Sequence, residues 1–161
     1  MSKPLYRRMS DRRDTADRRL SHLLVALAVV AVLAHLYGLY RPVGPPAPSW
    51  LPQADKLGHV VGFAAPVALI LLARGVGTTG ATRRAPRRFT VAVVVLFVLH
   101  AVVSELMQHF LYANRTGDPV DVLADWVGVA VGVAAARPLG RAVPTPASGL
   151  GEVTAARPRL P

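Results

Sequence analysis

FTVAVVVLFVLHAVVSELMQHFLYANRTGDPVDVLADWVGVAVGVAAA, residues 89–136, is the stretch that decides the fold. Two apolar runs, Phe89–Tyr112 and Pro119–Ala136, flank a polar turn at Ala113–Asp118. Both runs are apolar nearly all round, the pattern of helices in lipid rather than of a water-facing bundle. Yet Glu105, Gln108 and His109 sit in the last two turns of the first run, and Asp118, Asp121 and Asp125 at the head of the second. A central Asp costs on the order of 2.5–3.5 kcal/mol to insert, while each Val or Leu returns about 0.3–0.6 kcal/mol. The seven Val and Leu residues of the last run barely offset one such Asp. Asp125 is therefore expected to be protonated, hydrated or paired, with His59, Gln108, Lys56 and Arg115 as the available partners.

Two more apolar runs precede this hairpin. Leu20–Tyr40 has 21 uncharged residues, enough to cross a hydrocarbon core of about 30 Å at about 1.5 Å per residue. It is long for a signal peptide, and no clear small-x-small site follows. Leu57–Ala73 has 17 residues, near the short limit for a span. A Pro-rich connection, RPVGPPAPSWLPQADK (41–56), separates the two, and a basic one, RGVGTTGATRRAPRR (74–88), leads into the hairpin. The expected fold is an all-α integral membrane protein with four transmembrane helices. Residues 1–19 form a basic tail, 20–136 the membrane domain, and 137–161 a Pro-, Ala- and Gly-rich tail with the composition of a disordered segment. No internal repeat is present.

Charge gives the orientation. The chain carries +10 formally, with 17 Arg against 2 Lys, a bias typical of a GC-rich bacterial genome. Sixteen of the 19 bases fall in the two tails and the 74–88 loop, leaving Arg41, Lys56 and Arg115 on the other side. By the positive-inside rule both termini are cytoplasmic. Five of the nine acids, Asp55, Glu105, Asp118, Asp121 and Asp125, then gather at the outer face. The arginines lack the interleaved stacking aromatics that single-strand binders use, which argues against nucleic acid as a partner and for the lipid bilayer. The absence of cysteine excludes disulfides and thiolate metal sites.

Helical phase at about 100° per residue places Asp121, Asp125, Gly128 and Gly132 on one face. Glu105, Gln108, His109 and Tyr112 share roughly a 100° arc by the same rule, and His59, Gly62 and Pro66 share a face that Asp55 continues. Glu105 lies roughly 10 Å below Tyr112, and Asp125 roughly 9 Å below Pro119, so the groups can meet. Gly128 and Gly132 form a small-xxx-small pair suited to close helix approach. Intramembrane ionisable groups are functional sites by default, while Gln108 alone would serve equally well as packing glue. His100 is expected as a hydrogen-bonded core residue, His22 and His35 in the headgroup region, and Trp50 and Trp126 as interfacial anchors. The sequon Asn114-Arg115-Thr116 sits in a tight turn and is read as chance. Three uses of the pocket are open. His59, Glu105, His109 and Asp121 could hold a divalent metal with their nitrogen and oxygen ligands. Glu105 could act as general acid or base on a lipid-linked substrate, with Lys56 and Arg115 holding phosphate. Or the site could bind without chemistry.

DKLGH (Asp55, Lys56, His59), ELMQ (Glu105, Gln108), RTGDPVD (Arg115, Asp118, Asp121) and the GVAVG glycines Gly128 and Gly132 together resemble the VanZ-like family of small membrane proteins. The similarity spans about residues 50–135. The family usually has Asn where this chain has Asp125. The resemblance implies a cell-envelope setting and a link to resistance against the glycopeptide teicoplanin; it supplies no reaction. The expected function is an outward-facing polar site that binds or acts on a phosphate-bearing lipid, a lipid-linked cell-wall precursor or a glycopeptide antibiotic. Glu105 is the acid–base candidate, tuned by Asp121 and Asp125. Asp55, Lys56, His59, Gln108, Arg115 and Asp118 are the ligand-binding candidates. The alternatives are a proton-linked transporter and a non-catalytic partner in a membrane complex.

Overall fold

The structure, a computed structural model, describes residues 5–41, 54–76, 85–112 and 117–137. It consists of four helices, α1 (Leu5–Tyr40), α2 (Ala54–Gly75), α3 (Arg87–Leu111) and α4 (Pro119–Ala135). Three of them contain segments long and apolar enough to cross a membrane, Arg18–Tyr40, Ala54–Gly75 and Arg87–Leu111. α4 has 17 residues and reaches about 25 Å at about 1.5 Å per residue, just under a full hydrocarbon core. Trp50, the 114–116 sequon with Arg115, and the tail beyond residue 137 lie outside the described residues.

α1 begins at Leu5, well before the apolar run that starts at Leu20. The run marks where the helix turns apolar, and that is not where it starts. No proline or glycine interrupts residues 5–37, and the Arg, Leu and Ala content favours helix. The basic segment before Leu20 is thus largely a helical extension of the first span.

The helices run up and down. At one end Gln108 Nε2 donates to the Leu39 carbonyl at 3.4 Å and the Tyr112 hydroxyl to the Tyr40 carbonyl at 2.9 Å. These bonds join the ends of α1 and α3, and the starts of α2 and α4 lie at the same end. At the other end the Arg74 guanidinium sits 5.9 Å from the Phe89 ring centroid. α2 is the central element, packed most heavily against α4 and then α1, while α3 leans on α4.

Polarity is inverted relative to a water-soluble bundle. His35, His59, Ser104, Glu105, Gln108, Asp121 and Asp125 are buried, while Leu33, Tyr37, Leu96, Leu99 and Phe110 are each about 60% exposed or more. Burying charge while showing Leu and Val to the surroundings is costly in water and favourable in hydrocarbon. Phe63, Val67, Leu71, Val93, Phe97, Ala101 and Val129 form the apolar core.

Glycine sets the α2–α4 spacing. A Cβ on Gly128 would fall 2.5 Å from the Val60 carbonyl oxygen, and one on Gly132 would fall 2.6 Å from that of Ala64. Both neighbours are backbone atoms, so no rotamer change could relieve the clash. Trp126 is exposed, and its indole Nε1 donates to the Val98 carbonyl at 3.3 Å. It therefore ties α4 to α3 at mid-helix instead of anchoring at an interface.

His35 also departs from expectation. It is buried against Phe63, at 4.5 Å between ring centroids, and against His100 at 5.2 Å. Pro66 inside α2 removes the N–H that the Gly62 carbonyl would otherwise receive. The His35 ring lies against that Gly62 backbone and bonds to it. Backbone polarity on α2 draws the imidazole inward. His22 remains exposed.

Candidate functional site

The start of α4 is built first. Asp118 caps the helix, its Oδ1 accepting from the Val120 N–H at 2.8 Å, and Pro119 occupies the first turn, where its missing donor costs nothing. Gly117 precedes the cap because a Cβ there would fall 2.5 Å from the Glu105 carbonyl oxygen. Glu105 Oε2 accepts from the Asp118 N–H at 3.0 Å. The end of α3 and the start of α4 are thereby locked together, which places Asp121 and Asp125 beside the first turns of α2.

Two layers of charge result. In the outer layer Lys56 Nζ donates to Asp118 Oδ2 at 2.7 Å and to Asp121 Oδ1, with Asp55 Oδ2 at 3.9 Å. In the inner layer His59 Nδ1 lies 2.8 Å from Asp125 Oδ1, while its Nε2 faces Asp121 Oδ2 at 3.7 Å and Asp55 Oδ1 at 4.0 Å. Asp125 is fully buried. Its Oδ2 and Glu105 Oε1 are both buried without a hydrogen-bond partner. Atoms of His59, Glu105 and Asp125 lie within 4.8 Å of one another. The groups come from α2, α3 and α4 and converge at one end of the bundle.

Comparison with known protein families, curated proteins and solved structures gives no match. The VanZ-like resemblance therefore rests on the motifs themselves, and the chemistry has to be read from the residues.

Several expected roles change. Lys56 and Asp118 bind each other: Asp118 caps α4 with one oxygen and holds Lys56 with the other. Gln108 is buried but bonds to α1, so it fixes a helix end and does not orient Glu105. His109 is exposed and packs on Phe110 at 4.8 Å, which removes it from the expected metal set. Asp125, not assigned to that set from the sequence, takes its place beside His59 and Glu105. Asp55 sits at the rim with its side chain 55% exposed. Arg115 lies outside the described residues. Beside His59 a cavity of about 380 Å³ opens between α1 and α2, lined by His35, Gly38, Arg41, Asp55, Gly58 and Gly62 among others. Sequence reading did not foresee it, although Gly38, Gly58 and Gly62 on facing helices are the signal for such a gap.

The Lys56 ammonium, followed by the Val120 N–H, holds the Asp118 carboxyl below its ordinary 3.8. A depressed folded value means that the bond's contribution is complete above pH 3.8 and fades as pH falls through the lowered value. Lys56→Gln is expected to return Asp118 toward 3.8 in a ¹³C carboxyl titration. An unchanged midpoint would show that Lys56 does not reach it.

Proposed function

We propose that all four helices cross the cell membrane with both termini cytoplasmic, and that the carboxylate–histidine centre opens toward the outer leaflet of a bacterial cell envelope. There it binds or acts on a phosphate-bearing lipid, a lipid-linked cell-wall precursor or a glycopeptide directed at one, in keeping with the VanZ-like resemblance. The convergence of His59, Glu105, Asp121 and Asp125 from three helices supports this most strongly. Paired and unpaired carboxylates below the surface of a lipid-facing bundle are too costly to serve as filler. The described bases support this orientation. Arg18, Arg19, Arg74, Arg87, Arg88 and Arg137 lie at the end opposite the site, and only Arg41 and Lys56 lie near it. α4 is short, but α2 and α3 flank it, so it need not match the full bilayer thickness alone.

In this reading Glu105 is the acid–base group. One oxygen is fixed by the Asp118 N–H and the other is buried without a hydrogen-bond partner. Asp121 and Asp125 set the local field, and His59 orients Asp125. With Lys56 occupied by carboxylates, direct phosphate holding falls to Arg115. Glu105→Gln keeps size and polarity, so the variant should still co-purify with the same phosphate-bearing lipid while losing turnover of it. Mass spectrometry of lipid extracted from wild-type and variant protein reads both. Absence of any phosphate-bearing lipid enriched over bulk membrane would sink the reading, as would reporter fusions placing the Arg115 turn inside the cell.

A proton-linked carrier gains one observation, the contact of buried His35 with half-buried His100 beneath the site. The relay stops there. Toward the basic end the buried side chains among the described residues are apolar, including Ala28, Val67, Leu71 and Val93.

A further inference from the structure

The inner layer of the site has too little positive charge. Lys56 answers Asp118 and Asp121 in the outer layer. Glu105 and Asp125 lie deeper, at 5% and 0% exposure, and His59 is the only basic side chain close to both among the described residues. Each carboxylate keeps one buried oxygen with no partner, Glu105 Oε1 and Asp125 Oδ2. Two buried carboxylates left this close need a cation or protons to offset their repulsion and desolvation.

We infer that His59, Glu105 and Asp125 form a binding site for one divalent first-row cation of the manganese or zinc type. The donor set is one imidazole nitrogen and carboxylate oxygens, which suits those ions. Their bonds run about 2.0–2.2 Å, so neighbouring ligand atoms sit roughly 3 to 4 Å apart. The three groups lie within 4.8 Å of one another, and Nδ1 and Oδ1 are already 2.8 Å apart, so a small adjustment closes the site. His59 is also arranged as a metal-bound histidine usually is. Nδ1 points into the inner cluster while Nε2 faces the Asp121 and Asp55 carboxylates at 3.7 and 4.0 Å, from where a small approach by Asp121 would fix the ring and its tautomer. Binding replaces the Nδ1 hydrogen bond to Asp125, with the remaining imidazole proton on Nε2. The shallower grouping of Asp55, His59 and Asp121 is the weaker choice, because Lys56 already sits on Asp121 and Asp55 is solvated.

This inference rests on reading the site as a ligand-binding centre, but the ion is scored by its own binding. The full chain, purified in detergent with any tag removed and resident metal stripped by a chelator, is titrated with Mn²⁺ while electron paramagnetic resonance counts the free ion. One Mn²⁺ per chain is expected, displaced by Zn²⁺ but not by equimolar Mg²⁺. Asp125→Asn and Glu105→Gln, both near-isosteric, should each weaken binding at least about tenfold, with folding checked by circular dichroism. Failure to bind Mn²⁺ stoichiometrically would overturn the inference, leaving protons as the answer to the charge. So would unchanged affinity in both variants, or a loss confined to Asp55→Asn. Intact Mn²⁺ binding without lipid retention would instead count against the lipid reading alone.

Discussion

Gly128→Ala is expected to destabilise the bundle by about 3 kcal/mol, the upper end of the range for overpacking. An alanine normally improves a helix over glycine by about 1 kcal/mol, so the predicted sign is opposite to the intrinsic one. The new Cβ would meet the Val60 carbonyl oxygen at 2.5 Å and the buried Phe63 Cβ at 2.9 Å. Backbone cannot rotate away, so α4 must lift off α2. One turn toward the site, Asp125 would then lose its close approach to His59. Gly58→Ala is the matched control, because a Cβ there has nothing within 4 Å; it should be neutral or stabilising. Unfolding in graded SDS micelles measures both. Equal, small effects at the two positions would mean that α2 and α4 are not in backbone contact.

The second large effect belongs to the buried pair. His59→Leu strands Asp125 at 0% exposure and should cost about 3–5 kcal/mol, as removal of one partner from a buried ion pair does. Removing both, His59→Leu with Asp125→Leu, should recover most of that loss, since apolar replacement of a buried pair is often neutral. The coupling energy separates two roles. Neutral hydrogen bonds between membrane helices average about 0.6 kcal/mol, so a value near that would make the pair packing glue. A coupling of several kcal/mol is expected here, because the carboxylate has no other side-chain partner among the described residues.

Much of this architecture is legible in the sequence, for physical reasons that can be named. Apolar stretches of membrane length show directly, because hydrocarbon permits little else. The membership of Asp121 and Asp125 in one site follows from their four-residue spacing on an otherwise apolar helix. Gly128 and Gly132 continue that same face, so a close helix contact was visible too, though not that α2 makes it. At the flanks, helical phase alone does not decide which residues face inward. Ala101, Ser104 and Gln108 are all buried, which centres the inner face of α3 on one side of Glu105. His109 lies roughly 40° beyond Glu105 on the other side by helical geometry. A 100° arc admits it, and packing rotates it out.

His35 escaped for a different reason. Nothing in α1 alone says that position 35 will face a glycine and a proline on α2, and depth along a helix carries no information about azimuth. The pairing of Lys56 with Asp118 was equally hidden. An isolated lysine near acids reads as an anion holder until the cap at the start of α4 brings two carboxylates onto it.

The central claim is that ionisable side chains from three helices touch within one buried cluster, and histidine nitrogen shifts test it most directly. The chain has five histidines, so ¹⁵N-histidine-labelled, metal-free protein in lipid nanodiscs gives a small set of assignable signals. The His59 nitrogens are predicted to shift on Asp125→Asn in α4 and on Glu105→Gln in α3, while those of exposed His22 stay fixed. His59 signals that ignore both substitutions would contradict the account.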